Sequence, residues 1–167
     1  LTHTRPQLAI RRATVGDADA IWSMLEPVFR AGETYAVDPD IPRERALDYW
    51  CGGNHQARIA EAGGAPVGTY YLCPNQGGGG AHVANAGFVT AEGALGRGVA
   101  RAMLAHALDC ARGAGYRAMQ FNFVVSTNTR AIDIWLAYDF AVVGRLPKAF
   151  NHPTEGYVDA LIMYRSL

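Results

Sequence analysis

The chain has 167 residues, half of them apolar, so one domain with a sizeable core is within its reach. Lysine plus arginine and aspartate plus glutamate each number 15, which leaves no net field to draw the protein onto nucleic acid or an anionic membrane surface and points to a substrate-sized partner. The three cysteines, Cys51, Cys73 and Cys110, are odd in number and too widely spaced for paired metal ligands, so they read as reduced thiols.

The opening Leu1-Thr2-His3-Thr4-Arg5-Pro6 lacks the basic-then-apolar layout of a secretory signal. No later run approaches the roughly 20 apolar residues of a membrane helix, and a cytoplasmic location is expected. Leu8 to Ala13 alternates apolar and polar side chains and predicts a strand. Asp17 then precedes Ile21, Leu25 and Val28 on one helical face, so the expectation is a helix capped by Asp17 and kinked or stopped at Pro27. Ala31 to Pro42, carrying Glu33, Asp38 and Asp40, reads as a loop, and Arg43 to Trp50 as a short helix. Gln56 to Glu61 and Val67 to Leu72 flank the turn Ala62-Gly63-Gly64-Ala65-Pro66 and predict a hairpin. The tetraglycine Gly77 to Gly80 reads as a flexible link, and Ala81 to Thr90 as a third strand.

From Arg97 to Arg112 the residues Val99, Met103, Leu104, Ala107, Leu108 and Ala111 recur at helical spacing, and Gly113-Ala114-Gly115 closes the segment. Tyr116 to Val125 follows as a strand, Asn128 to Tyr138 as a helix, and Phe140 to Arg145 and Tyr157 to Tyr164 as the last two strands. Hairpin-linked strands followed by strand-helix-strand crossovers imply an α/β protein: one mixed, mostly antiparallel sheet with helices on both faces, in a single domain over residues 8–167.

The segment richest in chemistry is Leu95-Gly96-Arg97-Gly98-Val99-Ala100-Arg101, set between a strand and a long helix. Its glycines allow a tight turn in which several N–H groups converge at a helix N-terminus whose dipole favours anions. A nucleotide P-loop would need lysine and then serine or threonine after the last glycine, where Val99 and Ala100 stand. A dinucleotide fingerprint would need glycine where Arg101 stands, in an early βαβ unit. What remains resembles the pyrophosphate-binding motif Q/R-x-x-G-x-G/A of the GCN5-related N-acetyltransferase (GNAT) family, with Leu95 in the glutamine or arginine position. The resemblance continues through Asn128-Thr129-Arg130-Ala131-Ile132-Asp133-Ile134-Trp135-Leu136-Ala137-Tyr138-Asp139-Phe140, similar to the family's N-x-x-A-x-x-x-Y-x-x-x-G-F. Trp135 replaces the tyrosine and Asp139 the glycine. The predicted order of elements agrees with the family's fold over essentially the whole chain.

The resemblance implies acetyl-coenzyme A as cosubstrate, no metal, and direct attack of a neutral nitrogen on the thioester carbonyl. It places the pantetheine arm along Asn85 to Thr90, with Phe88 and Val89 in contact, the diphosphate on Leu95 to Arg101, and Asn128 and Trp135 beside the arm. In many members the replaced tyrosine is the acid for the departing thiolate. An indole N–H supplies no proton at neutral pH, so Trp135 reads as a packing residue and Tyr138, three positions on, as a substitute acid.

Asn85 and Asn122 fall on the two strands expected beside the acetyl group, where an amide can donate to and accept from an acceptor; satisfying local backbone groups is the other role open to them. The stretches Asn85-Ala86-Gly87-Phe88, Phe121-Asn122, Ser126-Thr127-Asn128 and Gly144-Arg145-Leu146-Pro147-Lys148-Ala149 resemble the branch of the family acting on proline-like imino acids such as azetidine-2-carboxylate. That resemblance implies roles in substrate binding for Asn85 and Asn122 and in catalysis for Asn85. His82 falls on the opposite face by strict alternation and reads as a surface residue. The expected partner is a small amine or imino acid, not nucleic acid or membrane, with homodimerisation left open. Two rival readings stay open: an acyl-coenzyme A sensor without turnover, and an acetyltransferase acting on a protein amine.

Overall fold

The computed structural model describes residues 7–167. The start, Leu1 to Pro6, lies outside that range. Strand β1 (Leu8–Arg12) leads through a 3-10 turn to helix α1 (Ala18–Ala31) and then α2 (Arg43–Cys51). Strands β2 (Gln56–Ala62), β3 (Ala65–Pro74) and β4 (Val83–Thr90) form a meander, followed by α3 (Val99–Gly113), β5 (Ala118–Val125), α4 (Thr129–Ala137), β6 (Ala141–His152) and β7 (Gly156–Ser166). The strands make one sheet in the order β1-β2-β3-β4-β5-β7-β6. All neighbours are antiparallel except β4 and β5. This is the mixed, mostly antiparallel α/β architecture that the pattern of elements predicts.

Alternation along β3 and β4 sorts side chains onto two faces, each covered by a helical pair. On one face Met103, Leu104 and Leu108 of α3 pack with Tyr70, Leu72, Ala84, Ala86, Phe121 and Trp135. On the other, Ile21, Leu25 and Phe29 of α1 and Trp50 of α2 pack with Ile59, Tyr71, Cys73 and Val89. Leu104 is fully buried, so Leu104→Ala would cost about 2–5 kcal/mol through lost burial and the cavity left behind.

Three local expectations are corrected, and the tetraglycine gains a local conformation. Helix α1 runs through Pro27 to Ala31; Val28 and Phe29 belong to the α1 core cluster and hold its last turn despite the missing N–H. Asp17 does not cap α1 with its side chain; its carboxylate is held by Arg11 Nη1 and Nη2, both at 2.8 Å, and by the Thr14 N–H at 2.7 Å. The tetraglycine contains a 3-10 turn, Gly78–Gly80, closed by Gly80 and Ala81 N–H groups donating to Gly77 and Gly78 carbonyls. Strand β6 continues past Arg145 to His152 because the register shift between Leu146 and Phe150 absorbs Pro147 and Lys148. A bulge takes up residues that cannot keep the ladder.

Among the described residues no helix is long and apolar enough to cross a membrane.

Candidate active site

The central feature is a fork in the sheet. β4 and β5 pair only at Val83 with Ala118 and Ala84 with Met119, and then separate. Pro74 lacks an N–H and stands opposite Ala84, so Ala84, Ala86, Phe88 and Thr90 form the non-hydrogen-bonded pairs with β3. The hydrogen bonds just outside this stretch, Asn75 N–H to the Val83 carbonyl and Ala91 N–H to the Val67 carbonyl, both 2.8 Å, fix the same phase. Ala86 and Phe88 therefore turn N–H and C=O into the fork, where β5 no longer answers them.

A cleft of about 370 Å³ opens there, walled by β4, β5, α4 and the α1–α2 loop. Asn85 Nδ2 donates to the Gln120 carbonyl at 2.9 Å, the first β5 carbonyl beyond the paired residues. Its Oδ1 has no partner among the described residues. Gln120 Nε2 donates to Asn122 Oδ1 at 2.8 Å, and Asn122 Nδ2 donates to Asn75 Oδ1 at 2.6 Å. The fork is thus laced by amides on the α1–α2 side.

A second cavity of about 300 Å³ continues the cleft past Thr90, Leu95, Ala100, Arg130 and Ile134, which line both. Gly96 and Gly98 have φ of 77° and 79°, the left-handed region that glycine enters without strain. Among the described residues the N–H groups from Gly96 to Arg101 have no hydrogen-bond partner, and Ala102 N–H, bonded to the Gly98 carbonyl, is the first that α3 satisfies. Converging N–H groups at the start of a 15-residue helix suit a diphosphate. The Arg130 guanidinium reaches over from α4, its Nη2 3.7 Å from where a Gly96 Cβ would stand. It supplies, from another element, a cation that Leu95 does not.

The α1–α2 side of the cleft is aromatic. Tyr35, from the loop between α1 and α2, accepts from the Phe88 N–H at 2.9 Å and donates to the Phe88 carbonyl at 3.0 Å through one hydroxyl. Tyr71 lies flat over Gly87: a Cβ there would stand 2.5 Å from the tyrosine's Cε1, so only glycine fits. Tyr49 and Tyr71 bring their hydroxyls within 3.4 Å, and His55 stacks on the Tyr71 ring at 4.1 Å. Burial, and then Tyr49, push the Tyr35 phenol far above its ordinary value; burial and then the neighbouring phenols do the same to Tyr71. Burial lowers the His55 pKa, favouring the neutral imidazole, and pushes the Cys73 thiol up to about 11. These groups stay neutral at physiological pH. Tyr35, Tyr71 and Cys73 can donate hydrogen bonds but are not ready bases, while the neutral His55 imidazole, which does not line the cleft, buttresses the Tyr71 ring.

Of the residues singled out in the sequence, Asn85, Phe88, Val89, Leu95, Ala100, Asn122, Asn128 and Trp135 line the first cavity. Gly96, Gly98, Val99 and Arg101 line the second. Arg97 is exposed at the turn and lines neither, and Tyr138, at the C-terminus of α4, lines neither. Asn128 occupies the N-cap position of α4 without a side-chain cap bond, which leaves its amide free at the cleft. Trp135 packs between Phe88 and Phe121 with ring centroids at 5.3 and 4.9 Å. The exposed Glu33, Asp38 and Asp40 stay out of the cleft, while Thr34, Tyr35 and Ala36 of the same loop enter it. Sequence reading missed Tyr35, Tyr49, Tyr71 and Arg130. Tyr35 left no sequence signal beyond being an aromatic residue in the loop between α1 and α2.

The comparisons agree with this geometry. Residues 19–140 match the model of the acetyltransferase (GNAT) family. The N-acetyltransferase aca1 of Schizosaccharomyces pombe is 28% identical over 148 residues, 78% of this chain and 71% of that protein. A GCN5-related N-acetyltransferase from Kribbella flavida superposes with a TM-score of 0.91 at 42% identity, over 96% of this chain and 98% of the other. A putative acetyltransferase from Salmonella typhimurium, solved with its cofactor acetyl-CoA, superposes with a TM-score of 0.82 over 96% and 94% of the two chains; its 19% identity shows the fold alone. With forked sheet, glycine cradle and family match on the same residues, this chain belongs to the acetyltransferase (GNAT) family.

Proposed function

We propose that this acetyltransferase moves the acetyl group of acetyl-coenzyme A onto an amino or imino nitrogen of a small molecule by direct attack. The observation that carries the reading is the fork. Ala86 and Phe88 point N–H and C=O into a gap where an amide-bearing pantetheine arm can replace the missing strand pairing. The unpartnered N–H groups of Gly96 to Arg101, with Arg130 and Arg101 beside them, suit the diphosphate at the far end. The thioester then lies at the near end, where the α1–α2 side of the cleft meets Asn85.

The acceptor nitrogen attacks from that side. Asn85 is held by its Nδ2 bond to the Gln120 carbonyl, and its free Oδ1 can accept a hydrogen from the nitrogen and fix its lone pair on the carbonyl carbon. Asn122, tied to Gln120 and Asn75, faces the same space with its remaining N–H. Tyr35 and Tyr71 hold their protons, so the proton lost by the nitrogen is assigned to water. A tryptophan at position 135 walls the arm instead of supplying an acid. The imino-acid branch is our preferred acceptor class, because both asparagines of that resemblance come together at the mouth of the fork.

Thiol release from acetyl-coenzyme A, run with azetidine-2-carboxylate, proline analogues, primary amines and a short peptide with a free amino terminus, tests the reading. Saturable release with a small amine or imino acid is expected. Release with the peptide alone would favour a protein amine, and tight cofactor binding without acceptor-dependent release would favour a sensor.

A further inference from the structure

We propose that Tyr35 is a catalytic residue of the transfer: its hydroxyl serves, beside the Phe88 N–H, as a second hydrogen-bond donor to the thioester oxygen as that oxygen becomes an oxyanion. The inference rests on the acetyl transfer argued above.

The Phe88 N–H is one of the few backbone donors aimed into the fork, and the Tyr35 oxygen stands 2.9 Å from its nitrogen as the acceptor. A thioester oxygen that reaches this N–H must take over the acceptor role. The displaced hydroxyl keeps its hydrogen, now spent on the Phe88 carbonyl at 3.0 Å, and sits next to the arriving oxygen. A short shift turns that hydrogen onto it. The ring cannot swing far, because Phe29 and Trp50 meet it edge-on with centroids at 5.5 and 5.9 Å. The loop itself is tied by Arg30 Nη1 to the carbonyls of Pro39 and Ile41. The shift takes place as the thioester binds, so the donor is in place before charge develops and lowers the barrier of the chemical step without further reorganisation.

Electrons and protons balance without any transfer from the phenol. The nitrogen lone pair forms the C–N bond and the carbonyl π pair moves to oxygen. Collapse re-forms the carbonyl and expels the thiolate, the nitrogen's proton passes to water, and water protonates the thiolate. Burial keeps the Tyr35 hydroxyl protonated, as a donor must be.

The test is Tyr35→Phe, read by kcat for thiol release, acetyl-coenzyme A affinity by calorimetry, and melting temperature. The expected result is a loss of about a hundredfold in kcat. Cofactor affinity should be equal or tighter, since a competitor for the Phe88 N–H is gone, and melting should stay close to wild type. A lower melting temperature with kcat per folded molecule retained would overturn the inference. Should the variant not fold, 2,3-difluorotyrosine at position 35 keeps the ring and acidifies the phenol. Still protonated, the more acidic phenol is a stronger donor, so a kcat changed from wild type with cofactor affinity kept is then expected, and an unchanged kcat overturns the proposal. A wild-type enzyme inactive on every acceptor would overturn the transfer reading and this inference together; an active wild type with an unimpaired variant overturns this inference alone.

Discussion

The two faces of the sheet do different work with different chemistry. On the α3 and α4 face the core is mostly aliphatic and phenyl packing around Tyr70 and Trp135, with Met103, Leu104 and Met119 fully buried. What that side offers a ligand is largely main chain: N–H groups at the start of α3 and along β4. On the α1 and α2 face Ile21, Leu25 and Ile59 pack around Phe29, Trp50 and a cluster of phenols. Trp50 donates to Thr69 Oγ1 at 3.0 Å, Thr69 donates on to the Arg58 carbonyl at 2.8 Å, and Tyr35, Tyr49 and Tyr71 bring hydroxyls to the cleft. A cosubstrate held by backbone demands little of side-chain identity. An acceptor recognised by side chains depends on every one of them.

The harshest way to break the comparison is at the point where the faces meet. Gly87→Ala sets a methyl 2.5 Å from the Tyr71 ring, so ring or strand must move. Overpacking of this kind costs about 1–3 kcal/mol. Misplacing the reacting groups by roughly 1 Å costs about a hundredfold in rate. Thermal melting and thiol release on the variant should show both losses, and a fully active, fully stable Gly87→Ala would mean that Tyr71 does not occupy that space.

A milder probe touches only the cofactor side. Because Asn128 makes no cap bond, Asn128→Ala should leave melting unchanged and weaken acetyl-coenzyme A binding several-fold. A loss of about 1 kcal/mol in stability with binding intact would restore the capping role.

The smallest effect concerns the foundation of the acceptor face. Arg11 and the Thr14 N–H hold the Asp17 carboxyl well below the ordinary carboxylate range. A lowered folded-state pKa contributes stability above the unfolded value of about 3.9, and that contribution is lost as pH falls through the folded value. Asp17→Asn should therefore melt lower than wild type at neutral pH, with the gap closing as the solution is acidified. A gap that stays constant with pH would contradict the linkage.

Most of the fold was legible because its signals are local. The 3.6-residue recurrence from Val99 to Ala111, the alternation in β1 and the turn between β2 and β3 each declare their elements by themselves. The cradle was legible for the same reason, since Gly96 and Gly98 are adjacent to the helix they open. The acceptor side was not. Tyr35, Tyr49 and Tyr71 come from a loop, a helix and a strand, and meet only because Gly87 leaves room for a ring. Arg130 was hidden likewise: Leu95 marks the missing cation, but nothing in the sequence says that α4 supplies one. Asp17 looked like a cap because the sequence cannot show that Arg11 reaches it first.

The division of labour between the faces is tested most directly by one pair of variants, Arg130→Ala and Asn85→Ala, each measured for acetyl-coenzyme A affinity and for turnover with an active acceptor. A hydrogen bond to a charged group is worth about 1.5–3 kcal/mol, roughly ten- to a hundredfold. The account predicts that Arg130→Ala loses about that much cofactor affinity with turnover at saturation kept, and that Asn85→Ala loses about that much turnover with cofactor affinity kept. Both variants losing affinity together, or Asn85→Ala turning over at the wild-type rate, would contradict it.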